Sequence, residues 1–209
     1  MIRTTARFAA VAALVLGLSA CSLLKTPPPV QMYRFGSAPE ASTGPSAGAP
    51  IDLAFNRVRF AEAVKEDRLL GVTGTQTAYI AGARWVSDAD VLYADSLEAA
   101  FAAQAQRVRL VSRATAQTTQ ALDVEVRSFE ARYPSEGATP TVVITAWVRL
   151  LDTQNRAIIG QRVFSVQQPA GENRVSAIVA AFDVATRDLN TQIVEWTDSS
   201  ARVAAPARP

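Results

Sequence analysis

The feature that most constrains the fold is a long one-sided helix near the end of the chain. Apolar residues recur at steps of three or four from Val175 to Trp196, with one turn filled by Ala185. The stripe consists of Val175, Ile178, Val179, Phe182, Leu189, Ile193 and Trp196. A helix of this kind is stable in a protein only when its apolar face is covered. Because the residues before it alternate like strands, we expect a sheet to provide that cover.

Alternating apolar and polar residues predict strands in the second half of the chain. The pattern runs through 122–127 and 142–150, and it returns at 158–166 after a turn at 152–156. The last two segments therefore read as a β-hairpin. The more polar face of 142–150 also includes Trp147.

The first half of the chain predicts shorter strands and one further helix. Strands are expected near Tyr33, at 51–60 with a bulge, and at 69–72, 77–80 and 108–111. A helix is expected after Ser87 or Asp88, either of which can cap it, and it extends to about Gln104. Runs of strands with two helices among them predict a single α+β domain. We expect a mostly antiparallel or mixed sheet with two main helices packed on it.

The first residues have the three parts of an export signal. Arg3 and Arg7 give a positive start, an apolar run covers 8–18, and small residues precede Cys21. The run is about half of the roughly 20 residues that span a bilayer, so no permanent transmembrane helix is expected there. Leu-Ser-Ala-Cys resembles the bacterial lipobox. We predict a signal peptide at 1–20 and lipidation at Cys21; the alternative is a secreted protein with an incidental cysteine.

The rest of the chain divides by composition. Residues 21–50 are expected to hold the lipidated cysteine, a proline-bearing tether, the first short strand and a flexible loop. Residues 51–198 are expected to form the α+β domain, and 199–209 a disordered tail. Ser22, rather than Asp, follows the cysteine. This favours the periplasmic face of the outer membrane over the inner membrane.

The residue inventory excludes several kinds of site. The 209-residue chain has no histidine and one cysteine, and without Arg3 and Arg7 it has 19 basic and 19 acidic residues. A histidine-based nucleophile is therefore excluded, and a structural zinc site is not plausible. Balanced charge gives no support for nucleic-acid binding. With Lys25 and Lys65 as its only lysines, the chain is not expected to be an enzyme or to hold a metal or cofactor.

Three residues are candidates for contact with a partner. Arg84 and Trp85 are of the types enriched in interface hot spots, although Trp85 alternatively packs under the following helix. Trp147 either faces a partner or lipid, or is covered by a helix. Asp123 and Glu125 lie two residues apart, which suits acid–base chemistry but more commonly marks a solvated strand face.

Several segments, taken in order, resemble one known family. They are Cys21 in its lipobox, Tyr33-Arg34-Phe35, the stretch Tyr79-Ile80-Ala81-Gly82-Ala83-Arg84-Trp85 before a helix with Leu92, Leu97 and Phe101, Leu122 to Phe129, and Ile193-Val194-Glu195-Trp196. Together they resemble the ABC-type transport auxiliary lipoprotein family, which includes the paraquat-inducible protein C lipoproteins, over roughly residues 21–197. A Gly/Ala/Ser/Pro-rich insert at 36–50 departs from the family pattern.

The resemblance implies a function and a set of partners. It implies a non-catalytic accessory of an ABC-type lipid transport system that also has an ATPase, a permease and a membrane-anchored protein with mammalian-cell-entry domains. Such systems move lipids between the two membranes. The alternative is a periplasmic carrier lipoprotein that itself binds phospholipid in an apolar cavity.

Overall fold

Eight strands and three helices form the described part of the chain. The computed structural model describes residues 29–37, 49–112, 115 and 118–202, so Cys21 and the signal sequence lie outside it. The strands are β1 (Gln31–Tyr33), β2 (Ile51–Phe60), β3 (Arg68–Thr73), β4 (Gln76–Trp85), β5 (Val108–Val111), β6 (Gln120–Tyr133), β7 (Thr141–Asp152) and β8 (Ile158–Pro169). The helices are α1 (Glu62–Lys65), α2 (Ala89–Gln104) and α3 (Val175–Ser200). Within the described residues, no helix is both long and apolar enough to cross a membrane.

β6 is the central strand because it pairs with three other strands. β7 runs antiparallel along one edge, and β8 runs antiparallel beyond β7. The other edge is shared end to end by β2, which is parallel to residues 120–126, and β3, which is parallel to residues 130–133. The short helix α1 lies between them in sequence and lets the chain move along β6. The predicted α+β class with a mixed sheet is confirmed.

The outer strands complete two branches of the sheet. β5 pairs in parallel with β2, while β4 pairs antiparallel with β3 and in parallel with β1. The parallel pairings of β2 and β3 join segments that are distant in sequence. Antiparallel pairing dominates in the long β6–β7–β8 ladder, whose alternation made it the clearest part of the sequence.

Two bulges shift the register along β6. In β2 the pairing slips between Phe55 and Val58, where the sequence predicted a bulge. In β6 a second slip against β7 lies between Val126 and Ser128, so Arg127 is the extra residue. A bulge of this kind shifts the in–out alternation by one residue, so a side chain points to the face opposite to the one that strict alternation would give it.

The two long helices cover one face of the sheet. The apolar stripe of α3 is buried as predicted: Ile178, Phe182, Leu189 and Ile193 have at most 1% of their surface exposed. α2 begins directly after Asp88, although the Asp88 side chain makes no capping hydrogen bond. Burial of these apolar faces, rather than capping, therefore holds the helices in place.

An aromatic cluster lies between α3 and the sheet. The Phe129 ring on β6 lies 4.8 Å from Phe182 of α3 and 4.9 Å from Phe35, between ring centroids. Trp85 packs edge-on against Phe182 at 5.4 Å. Nearby on α2, Tyr93 is fully buried, and burial raises the pKa of its hydroxyl far above the ordinary value of a tyrosine.

Two carboxylates of α3 hold neighbouring chain segments through backbone N–H groups. Asp183 accepts hydrogen bonds from the N–H groups of Gly36 and Ser37, both at 2.9 Å. Asp198 accepts from the N–H groups of Arg107 and Val108, at 2.8 and 2.9 Å, where β5 begins. The last helix thus fixes the segment after β1 and the connection from α2 to β5.

The described chain remains in the fold beyond the predicted boundary at 198. α3 continues to Ser200, and Ala201 is buried. The Gln120 side chain on β6 accepts a hydrogen bond from the Arg202 N–H and donates one to its carbonyl oxygen. This side chain-to-backbone contact joins residues 82 apart, so local composition gave no sign of it.

Candidate functional site

The strands β6 and β7 have two chemically different faces. Leu122, Val124 and Val148 point toward the helices and are at most 4% exposed. Asp123, Glu125, Trp147 and Arg149 occupy the alternate positions, so they lie on the opposite face, which we call the open face. Among the described residues, both long helices pack on the other side. The open face is therefore where this fold displays polar side chains.

Charged residues on the open face surround Trp147. We call Arg59, Asp123, Glu125, Arg127, Trp147 and Arg149 the Trp147 cluster. Their positions come from strand register, since Asp123 lies opposite Arg149, Glu125 lies opposite Trp147, and Arg59 of β2 lies opposite Glu125. Arg127 joins them through the bulge in β6.

Ion pairs link the charged members of the cluster in one chain. Arg149 pairs with Asp123, and Arg59 pairs with both Asp123 at 3.1 Å and Glu125 at 3.3 Å. Arg127 completes the chain by pairing with Glu125 at 3.0 Å. Such half-exposed pairs each add little stability, because water screens them. Their main effect is to hold the guanidinium groups in fixed places.

Both ends of this chain of ion pairs reach the Trp147 ring. The Arg127 and Arg149 Cζ atoms lie 4.5 and 4.3 Å from its centroid. These distances are in the range of cation–π attraction. The indole is therefore positioned between side chains that are themselves fixed by Asp123 and Glu125.

The cluster has three arginines and two carboxylates, so it presents one excess positive charge. The acid–base alternative for Asp123 and Glu125 finds no support, because both carboxylates already bind arginines. Glu130 on the same strand is paired with Arg132 at 2.7 Å. Among the described residues, no three Asp, Glu, Cys or His side chains gather as a possible metal site. The arrangement presents an aromatic ring and fixed guanidinium groups on the open face.

The side chains of Arg84 and Trp85 point to opposite sides of β4. Trp85 has no exposed surface and packs in the aromatic cluster, which agrees with the packing interpretation of this residue. Arg84 points to the other side, where its Nη1 lies 2.8 Å from both carboxylate oxygens of Asp67. Consecutive strand residues face opposite sides, so the pair cannot act as one surface.

Among the described residues, Trp147 lies on the face opposite the two long helices and forms no ring pair with the aromatic cluster. It is partly exposed on the open face, next to Val163 of β8, which is 56% exposed. The sequence reasoning did not single out Arg59, Arg127 and Arg149 as companions of Trp147. The alternation of Asp123, Glu125 and Arg127 was a usable signal, but the bulge and the distant β2 strand were not visible in it.

A surface groove of about 710 Å³ lies between α2 and β5. Phe101, Val108 and Leu110 form its apolar side, while the exposed Asp95 and Glu98 line its rim. A groove with carboxylates at its mouth is a poor match for an acyl chain, which needs enclosed apolar surroundings.

Comparison with known proteins gives a family match and a shared fold. The sequence model of the family described as "ABC-type transport auxiliary lipoprotein component" matches residues 33–194. None of the curated proteins matches the chain.

Solved structures with a similar fold come from distant relatives. One is a Xanthomonas campestris protein of the family DUF330, with 21% identity, 81% of this chain and 96% of that chain covered, and a TM-score of 0.71. An uncharacterized protein has 16% identity, coverage of 81% and 99%, and a TM-score of 0.63. A hypothetical protein from Chlamydia trachomatis has 13% identity, coverage of 73% and 98%, and a TM-score of 0.51. At these identities the likeness concerns the fold alone.

Proposed function

The chain belongs to the ABC-type transport auxiliary lipoprotein component family, and from this premise we propose that it is a non-catalytic accessory of a lipid transporter. In this role it binds a periplasmic partner with mammalian-cell-entry domains and serves a system that moves lipids between the two membranes. The observation that carries the proposal is the Trp147 cluster, a fixed arrangement of tryptophan and arginine on a face that the described helices leave uncovered.

The proposed location follows from the N-terminal sequence. As a member of a lipoprotein family, the protein is a membrane-anchored component of the cell envelope. We propose that residues 1–20 are removed, that Cys21 carries the lipid, and that Ser22 directs the protein to the periplasmic face of the outer membrane. The domain of residues 51–198, with the first short strand, then faces the periplasm on its tether.

The Trp147 cluster has the properties of a protein-binding surface. Tryptophan and arginine are the residue types that most often dominate binding energy at interfaces. Side chains that are already fixed lose less entropy when a partner binds. Arg127 and Arg149 are held by Glu125 and Asp123, so the surface is largely preorganised.

A pull-down of the full-length lipoprotein from gently extracted membranes tests the role. Protein and lipid mass spectrometry are applied to the same eluate, and the Cys21→Ala variant is the control for the anchor. Recovery of a mammalian-cell-entry-domain protein or its transporter, without stoichiometric lipid, supports the accessory role. Stoichiometric phospholipid with no transporter contradicts it and indicates the lipid carrier instead.

A matched pair of variants tests the surface. Trp147→Ala removes the centre of the cluster, whereas Tyr79→Ala removes an exposed aromatic residue on β4 that also lies under an arginine, Arg68, at 3.7 Å. We expect recovery of the partner to fall at least about tenfold for Trp147→Ala, which corresponds to one hot-spot residue, and to stay unchanged for Tyr79→Ala. Equal recovery with both variants would show that partner binding uses another surface.

A further inference from the structure

β8 is the terminal strand on one side of the sheet, and its outer edge is long and has few features that would prevent pairing with another strand. It has 12 residues and pairs only with β7, so its outer N–H and carbonyl groups have no strand partner among the described residues. The other terminal strands are shorter, with three residues in β1 and four in β5. Natural proteins usually protect a long edge with lysines, prolines or bulges. β8 has no lysine and no carboxylate, and its proline is its last residue. Its register against β7 slips once, between Ile158 and Gly160, so the regular edge runs from residue 160 to the end of the strand.

The side chains of β8 continue the rows of the open face. Glu125, Trp147 and Val163 lie side by side on β6, β7 and β8. In the next row Thr145 and Ser165 share a hydrogen bond of 3.1 Å between their hydroxyl oxygens. An added strand would place its own side chains next to Val163 and Ser165. Val163, which is 56% exposed, would then gain an apolar neighbour.

Charge distinguishes the possible occupants of this edge. Arg162 is the single charged residue of β8, and it lies over the Phe164 ring at 5.0 Å with no ion-pair partner among the described residues. Two β8 strands paired with each other would leave both copies of Arg162 without a carboxylate, because β8 has none. A strand from another protein that carries an acidic residue would neutralise Arg162 instead.

We propose that the β8 edge binds an extended, acidic strand segment of another protein, which pairs with β8 through its backbone and places an apolar side chain beside Val163. This inference rests on the proposed accessory role and specifies how its partner is bound. Backbone hydrogen bonds supply affinity in this mode, while the side chains beside Val163 and Arg162 supply selectivity.

Synthetic strand peptides test the proposal on the full-length lipoprotein in detergent micelles. The probe is the peptide Thr-Val-Thr-Val-Glu-Val-Thr-Val, and the control has Lys in place of Glu. We expect the acidic peptide to slow amide hydrogen exchange at alternate residues of 158–169, because only edge pairing protects every second amide. Binding should be about tenfold weaker for the lysine peptide and for Arg162→Glu, and Arg162→Glu should prefer the lysine peptide.

Three results overturn the proposal. The first is the absence of protection at alternate residues of β8 at millimolar peptide. The second is peptide affinity that does not change when Arg162→Glu reverses the charge. The third is self-association of the lipoprotein through β8 in place of peptide binding. Thermal unfolding of Arg162→Glu, an exposed substitution, confirms that the variant is folded. Partner recovery in the pull-down is a separate readout. If the transporter is recovered while β8 stays unprotected, the accessory role stands and the edge inference fails.

Discussion

The covered and open faces of the β6–β7–β8 sheet are made by alternate residues of the same strands, yet they differ in almost every property. Phe129 and Val148 on the covered face are at most 2% exposed and contact other apolar groups. Arg127 and Arg149 on the open face are 48% and 23% exposed and are paired with carboxylates. One face is therefore suited to stability and the other to recognition, and substitutions should affect these two properties separately.

The largest expected effect is on the covered face. Phe129→Ala removes the ring that contacts Phe35, Phe60, Trp85 and Phe182. We expect the free energy of unfolding to fall by about 3–5 kcal/mol, because a large cavity replaces close-packed rings. Urea unfolding followed by circular dichroism measures this change. A loss below about 1 kcal/mol would mean that the aromatic cluster does not hold the helices on the sheet.

A smaller loss of stability is expected when a carboxylate that holds the start of β5 is removed from α3. Asp198→Ala leaves the N–H groups of Arg107 and Val108 without their carboxylate acceptor. We expect a loss of about 1–3 kcal/mol in the free energy of unfolding, with faster amide exchange concentrated in β5. Ser199→Ala, one residue away on the same helix, is the control and should change stability by less than about 0.5 kcal/mol. Equal losses in the two variants would contradict this account.

On the open face, Trp147→Ala should change stability little. The cation–π contacts with Arg127 and Arg149 are partly exposed, so we expect a loss of about 1 kcal/mol or less. Urea unfolding of this variant beside Phe129→Ala gives the comparison directly. A loss as large as that of Phe129→Ala would end the distinction between the two faces.

The smallest change in stability at neutral pH is expected for Tyr93→Phe, and the difference from the wild-type protein grows at alkaline pH. The Tyr93 hydroxyl has no hydrogen-bond partner among the described residues, so Tyr93→Phe should change stability by less than about 1 kcal/mol at pH 7. Because burial raises the folded-state pKa, folding favours the neutral hydroxyl. That stability is present below the unfolded-state pKa of about 10 and is lost as the pH rises above it.

Unfolding measured between pH 8 and 11 checks this prediction. The wild-type protein should lose stability above about pH 10, and Tyr93→Phe should lose less. Burial also raises the pKa of Tyr133, so a smaller decline remains in the variant. Identical pH profiles for the two proteins would show that Tyr93 is not enclosed by the covered side as described.

Local pattern was sufficient to predict much of the fold. Period-two alternation gave the β6, β7 and β8 segments, and the apolar stripe gave α3, because each signal depends only on neighbours in sequence. The parallel pairing of β2 and β3 along one edge of β6 was not predictable in this way. It depends on contacts between segments more than 50 residues apart, for which a single sequence carries no local sign.

The candidate site was only partly predictable for the same reason. Trp147 was identified by its place on the polar face of a strand, but its companions come from other strands and from the bulge at Arg127. Trp85 shows that residue type alone can mislead. Its type suggested an interface, whereas its position in the strand places its ring in the core. The predicted role of Cys21 lies outside the described residues and stays a prediction.

Site-directed photo-cross-linking in intact membranes tests the separation of the two faces most directly. A cross-linking amino acid replaces either Val163, which is 56% exposed beside Trp147, or Val91, which is 47% exposed on α2. We predict that a transporter component is captured from position 163 and not from position 91. Capture from position 91 alone would contradict it, because the partner would then bind the helical side and the open face would have no part in recognition.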